Sequence, residues 1–120
     1  MQFDNYTVTL LLLRPDAPVM DDAAADELQS QHLAHLADLH DQGVLLAAGP
    51  LLGPPDREYR GCSIWNVEPE KVLEIVTENP DPSVVAGRFQ QLVLPWMVPA
   101  GALAFKHTMF PRSVAEAREG

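Results

Sequence analysis

The sequence predicts one domain of the α+β class, with elements in the order β-α-β-β-α-β and a C-terminal extension. The chain has 120 residues, the length of an ordinary single domain with a hydrophobic core. Short apolar runs alternate with stretches of helical periodicity, and glycine or proline separates them. Two consecutive strands between the two main helices indicate a four-stranded antiparallel sheet with the helices on one face, the ferredoxin-like arrangement.

The first strand and the long first helix are predicted from their end residues. Tyr6 to Arg14 is rich in leucine and β-branched residues and stops before a proline, which cannot extend a strand ladder. After a proline-containing loop, Asp21 or Asp22 is suited to cap a helix whose periodicity continues to Gln42. Gly43 is expected to terminate this helix.

The middle of the chain predicts two more strands and two helices. The apolar run 44–48 predicts a buried strand, and residues 59–67 predict a third strand after a loop rich in glycine and proline. A second helix is expected to begin at Pro69, because proline is tolerated in the first helical turn. Residues 81–87 then predict a short helix that Asp81 caps.

The C-terminal part predicts the last strand and an extension. Phe89 to Val98 forms this strand, in which Pro95 marks an edge position or a bulge. We therefore assign residues 1–100 to the domain and residues 101–120 to the extension. We expect the polar end of the extension to be mobile or to cover a partner subunit.

One face of the predicted sheet has no helix to cover it. We expect this face to expose more apolar surface than a monomer usually shows to water. The side chains expected there are Trp65, Val67, Leu92, Leu94 and Trp96. Because a second copy of the chain would cover them, the sequence predicts a homodimer.

Composition narrows the classes of partner. Eight basic residues against 17 acidic ones give a formal charge of −9, and the basic residues are scattered, so we do not expect nucleic-acid binding. We expect no membrane span or signal peptide, because the early apolar run is short, and the single cysteine favours a reducing compartment. The expected localisation is cytoplasmic. No glycine-rich nucleotide motif is present, so we expect no cofactor.

A histidine lies on the apolar face of the first helix. Four residues fall within one arc of about 80°: Leu28, His32, Leu36 and Leu39. A buried ring nitrogen without a partner costs roughly 1–3 kcal/mol, so His32 is either a hydrogen-bonded core residue or a group placed for chemistry. His35 and Asp38 lie further round the helix and do not converge with His32, so we expect no metal site.

Three motifs occur in order along the chain, with Gly61 between the second and the third. They are His32-Leu33-Ala34-His35-Leu36, Gly43-Val44-Leu45-Leu46-Ala47-Ala48-Gly49-Pro50 and Asp81-Pro82-Ser83-Val84-Val85-Ala86-Gly87. Together they resemble the YciI-like (YCII-related) family of the dimeric α+β barrel superfamily, over roughly residues 6–98. The second helix histidine, the long loop before the helix and the C-terminal extension depart from the family pattern.

The resemblance implies a cofactor-free acid/base enzyme, a lyase or isomerase acting on a small organic molecule. In the family a His-Asp pair is regarded as the acid/base site, and the matching residues here are His32 and Asp81. One characterised branch is a dehydrochlorinase of a chlorinated hydroxyquinol. The residues expected to contact the substrate are Ser63, Gly49, Pro50 and Trp96.

Other functions stay open at this point. A non-catalytic dimeric module would bind a metabolite or a protein through the sheet face and the tail, and His32 would then be structural. Asp81 could instead serve only as a helix N-cap, a role that stabilises a fold by about 1 kcal/mol. A third hypothesis, a cofactor-independent monooxygenase, rests on fold analogy alone.

Overall fold

The structure, a computed structural model, describes residues 1–119 and contains the predicted elements in the predicted order. The elements are β1 Phe3–Leu13, α1 Asp22–Asp41, β2 Leu45–Pro50, β3 Tyr59–Trp65, α2 Pro69–Glu78, α3 Pro82–Val85, β4 Phe89–Pro99 and α4 Val114–Glu119. All strand pairs are antiparallel, in the order β2-β3-β1-β4. The predicted ferredoxin-like α+β fold is therefore confirmed.

The ends of α1 are those that the sequence predicts. The side chain of Asp21 caps the helix by accepting a hydrogen bond from the backbone N–H of Ala24 at 2.8 Å. At the other end Gly43 has φ = +81°, which residues with a side chain rarely adopt. Within residues 1–119, no helix is both long and apolar enough to cross a membrane.

The two faces of the sheet differ in what covers them. Thr7 pairs with Trp65 and Thr9 with Ser63, so these four residues share the face on which the helices pack. The indole of Trp65 is 1% exposed and donates a hydrogen bond to the Thr9 hydroxyl at 3.0 Å. A buried cluster completes this side, formed by Leu39, Leu45, Trp65 and Val72.

The expected composition of the open face is wrong at two positions. Trp65 belongs to the buried core, and Val67 packs against the same core rather than facing solvent. The uncovered face instead carries Tyr6, Val8, Leu10, Ile64, Leu92, Leu94 and Trp96, which alternate with the core-facing positions. Because β3 is apolar on both sides, its sequence could not show which side meets the helices.

Pro95 lies on an edge strand, as predicted. β4 is the last strand of the sheet, and its register with β1 runs without a shift from Phe89 to Pro99. A residue without a backbone N–H is tolerated there because one side of the strand has no partner. The alternative of a bulge at this position is wrong.

The C-terminal segment, residues 101–119, folds back onto α1 from His107 onward, contrary to the expected mobile end. Arg112 forms ion pairs with Asp38 at 2.7 Å and Asp41 at 2.5 Å on the exposed side of the helix. The backbone N–H of Val114, at the start of α4, donates to the Ser30 hydroxyl at 3.0 Å. Gly120, the last residue of the predicted extension, lies outside the described residues.

A buried histidine anchors the same segment. His40 is 3% exposed, its Nδ1 lies 2.7 Å from the carbonyl oxygen of Leu45, and its Nε2 accepts from the backbone N–H of Thr108 at 3.0 Å. The ring also stacks on Phe110 at 4.0 Å between centroids. Since Nε2 accepts, Nδ1 carries the proton and donates to the carbonyl. His40 is therefore the hydrogen-bonded core histidine of this helix.

Candidate active site

A cleft of about 500 Å³ opens between α1 and the sheet beside β2 and β3. Its walls include His32, Leu33 and Leu36 from α1, Gly49, Pro50 and Ser63 from the strands, and Phe110 and Val114 from the C-terminal segment. The predicted site residues His32, Ser63, Gly49 and Pro50 thus line one cavity. Its mixed polar and apolar wall is typical of small-molecule sites.

His32 and Asp81 form a hydrogen-bonded pair at this cleft. Nδ1 of His32 lies 2.7 Å from Oδ2 of Asp81, and the two side chains are 12% and 4% exposed. The other oxygen, Oδ1, accepts from the backbone N–H of Ser83 at 2.8 Å and from its hydroxyl at 2.6 Å. Asp81 therefore caps α3 with one oxygen and holds the imidazole with the other.

The remaining ring nitrogen of His32 faces the cleft. Among the described residues every buried side-chain nitrogen or oxygen has a hydrogen-bond partner, and Nε2 of His32 has none, so Nε2 is not buried. When the ring carries a single proton, on Nδ1 and directed at the carboxylate, it presents the Nε2 lone pair to a ligand. This is the arrangement that a general base requires.

The surroundings of Asp81 keep it ionised. Burial alone raises the pKa of the Asp81 carboxyl, but the hydrogen bond from His32 and the two from Ser83 outweigh this, so the pKa lies below its ordinary value. A negative charge next to Nδ1 fixes the tautomer of the ring and stabilises the imidazolium that forms when Nε2 takes a proton.

We expect this lowered pKa to appear as acid sensitivity of the fold. The stabilisation from the charged carboxylate is complete above the ordinary pKa of about 3.9 and is lost as the pH falls through the lower, folded-state pKa. Urea unfolding from about pH 6 to about pH 2 should show the free energies of unfolding of the wild type and Asp81→Asn converging at the acid end. A difference that stays constant over this range would contradict the assignment.

His35 and Asp38 do not join the pair in a common ligand set. Asp38 points to the other side of α1, where it binds Arg112 at 2.7 Å. Burial lowers the pKa of His35, and attraction from Asp81 offsets this only in part. Cys62 pairs with Leu10, so its side chain lies on the uncovered face of the sheet and not on the side of His32. Burial raises the pKa of its thiol, which makes it a poor nucleophile at neutral pH.

Trp96 does not line the cleft. It pairs with Tyr6 across β4 and β1, and their rings lie 6.3 Å apart on the uncovered face. Tyr6 alternates with the core-facing Thr7, so the sheet itself separates Trp96 from His32. Side chains alternate between the two faces along β4, so the face of Trp96 depends on how β4 is aligned with β1. The sequence alone does not determine this alignment.

Several cleft residues are absent from the sequence-based prediction. The charged ones are Arg57, Arg60, Arg88 and Arg118, and Phe110 adds an aromatic wall. They come from the β2–β3 loop, the start of β3, the approach to β4 and the C-terminal segment. No local spacing links these segments, so scattered arginines in the sequence give no signal of a common site.

No protein-family profile matches the sequence, and no curated protein is significantly similar to it. Among solved structures, the chain is similar to 5-chloro-2-hydroxyhydroquinone dehydrochlorinase (TftG) from Burkholderia phenoliruptrix AC1100 in complex with 2,5-dihydroxybenzoquinone. The TM-score is 0.55 at 23% identity, over 76% of this chain and 92% of that chain. It is also similar to SnoaB, a cofactor-independent oxygenase from Streptomyces nogalater, with TM-score 0.49 and 12% identity over 84% of this chain and 99% of that chain. The similarity to TftG shows a shared fold.

Proposed function

We propose that this protein is a YciI-like acid/base enzyme, a lyase or isomerase that acts on a small organic molecule. The observation that carries the proposal is the His32–Asp81 hydrogen bond of 2.7 Å beside an open cleft. A sealed core histidine would instead have both ring nitrogens bonded to protein groups, as His40 has. The shared fold with a dehydrochlorinase supports the same class of chemistry.

The proposed step is removal of a proton from carbon. Nε2 of His32 takes the proton, and the electron pair of the broken C–H bond moves to an adjacent carbonyl or forms a C=C bond as a neighbouring chloride leaves. Asp81 stabilises the resulting imidazolium, which then returns the proton to the substrate in an isomerisation or releases it to water in an elimination. In both routes the imidazole, the carboxylate and the substrate account for every proton and electron pair, so no cofactor is needed.

Proton exchange tests this step without knowledge of the complete reaction. In D₂O, the enzyme should accelerate exchange of carbon-bound protons in 2,5-dihydroxybenzoquinone or in enolisable 2-oxo acids, followed by proton NMR. We expect at least one compound to exchange about 10²-fold faster or more with the enzyme than with buffer. If no member of either class exchanges faster than in buffer of the same pH, the acid/base function is contradicted.

We also propose that the chain is a homodimer joined through its uncovered sheet face. Leu94 and Trp96 on this face are 42% and 41% exposed, beside further apolar side chains of β1 and β4. Such a contiguous apolar face is typical of an interface. Burial against a second copy would remove it from water.

Sedimentation velocity tests the dimer. The wild type should sediment as a dimer, and Leu94→Glu should shift it to monomer, because a charge buried in an apolar interface is costly. Leu52→Glu is the matched control, since Leu52 is 87% exposed in the β2–β3 loop and its variant should remain dimeric. A monomeric wild type at micromolar concentration would contradict this interface.

A further inference from the structure

The basic residues of the protein are concentrated in the cleft. Of eight Lys and Arg residues in the chain, four line it: Arg57, Arg60, Arg88 and Arg118. The chain has 17 acidic residues, yet none of the described lining residues is Asp or Glu. The protein has a formal charge of −9, yet its cleft is lined by positive charge.

Two of these arginines are held in place by neutral groups. Arg57 donates from Nε to the carbonyl of Leu51 at 2.7 Å and from Nη1 to that of Pro54 at 3.0 Å. Arg60 donates from Nε to the carbonyl of Arg57 at 2.7 Å and from Nη2 to that of Pro55 at 2.6 Å. These bonds fix the guanidinium groups without neutralising them, and they leave Nη2 of Arg57 and Nη1 of Arg60 for another acceptor.

Arg88 adds a third charge without a carboxylate partner. Its guanidinium lies 5.1 Å from the centre of the Phe89 ring, and both residues line the cleft. Within residues 1–119, no salt bridge involves Arg57, Arg60 or Arg88, whereas Arg118 pairs with Asp26 at 3.7 Å. The proposed anion site thus holds three arginines without a salt bridge among the described residues, whereas Arg118 is paired and is not counted in it.

The three charges are close enough to influence one another. Burial lowers the pKa of Arg60, and the charges of Arg57 and Arg88 lower it further, against the opposing effect of Asp56. Like charges brought together repel, and a bound anion relieves this repulsion while accepting the free N–H groups.

We propose that the substrate of this cleft is a small organic anion, a carboxylate or phenolate with an apolar body. Its anionic group binds Arg57, Arg60 and Arg88, and its body packs against Leu33 and Phe89 beside His32. The proposal that this anion is the substrate rests on the proposed acid/base function. The charge preference of the cleft stands on the arginines alone.

Calorimetric titration with benzoate and with benzamide, a neutral compound of nearly the same shape, tests the charge preference. The wild type should bind benzoate at least about tenfold more tightly than benzamide, and added NaCl should weaken only benzoate binding. Arg88→Gln should reduce benzoate affinity about tenfold and leave benzamide unchanged, because the Arg88 side chain makes no hydrogen bond within residues 1–119 and the backbone hydrogen bonds of residue 88 are kept in the variant. Arg14→Gln is the control, since Arg14 is paired with Asp16 outside the cleft.

The outcomes separate this inference from the proposed function. Equal affinity for the two probes, or an equal loss in Arg14→Gln and Arg88→Gln, would overturn the anion site even if the enzyme exchanges protons of neutral compounds. Charge-selective binding that depends on Arg88 supports the site. If none of the compounds in the proton-exchange test exchanges faster than in buffer, the acid/base function fails while the anion site stands.

Discussion

Replacement of His32 by asparagine should lower the exchange or turnover rate by about 10²–10⁴-fold while the fold persists. The amide nitrogen of asparagine occupies nearly the position of Nδ1, so it can still donate to Asp81. The variant lacks Nε2, the group that faces the cleft. The change therefore removes the proposed base and keeps the buried hydrogen bond, which His32→Ala would not do.

Activity and stability must be measured together for this variant. The melting temperature of His32→Asn should stay within a few degrees of the wild type, because the Asp81 carboxylate keeps a donor. His107→Asn is the control, since His107 is an exposed histidine that pairs with Asp41 outside the cleft and should retain full activity. Undiminished turnover in His32→Asn would show that His32 is not the base.

Asp81→Ala should give the largest loss of stability of any single carboxylate in this chain, about 2–4 kcal/mol. The substitution leaves three donors without their acceptor: Nδ1–H of His32, and the backbone N–H and hydroxyl of Ser83. Asp81 is 3% exposed, so water does not readily replace the carboxylate. A loss of this size lowers the melting temperature by roughly 10 °C in a domain of this length.

The other aspartate N-cap provides the comparison for Asp81. Asp21 also accepts a backbone N–H, from Ala24 at 2.8 Å, but it lies at an exposed position, and its side chain has no second partner within residues 1–119. Asp21→Ala should therefore cost only about 1 kcal/mol. Urea unfolding followed by tryptophan fluorescence, to which buried Trp65 contributes, reports both values. Equal losses in the two variants would mean that Asp81 serves only as a helix cap.

The sequence alone predicts each half of the His–Asp pair but not the contact. Helical periodicity puts His32 on the inner face of α1, and an Asp-Pro step predicts Asp81 as a cap; the structure contains both features. The two residues are 49 positions apart, so only the family resemblance suggested that they meet. The contact depends on how α1 and α3 pack, which local propensity does not specify.

The sequence-based predictions are wrong where a strand is apolar on both faces and where segments distant in sequence meet. Trp65 fits either face of β3 by composition, and its hydrogen bond to Thr9 depends on the strand register. The fold-back of the C-terminal segment depends on Arg112 and Thr108 meeting α1 residues about 70 positions earlier. A polar tail sequence gives no local signal of such contacts.

The fold-back of the C-terminal segment gives the cleft a wall from a part of the chain that is distant from the proposed base. The proposed base and its carboxylate lie within residues 32–81, whereas Phe110, Val114 and Ala117 form a wall of the same cleft after the last strand. Substitutions at Val114 and Ala117 can therefore reshape the cavity without changing the sheet or the His–Asp pair, whereas loss of Thr108 or Phe110 would also remove buried contacts of His40. For the same reason a purification tag or reporter belongs at the N-terminus, away from the segment that sets the size of the cavity.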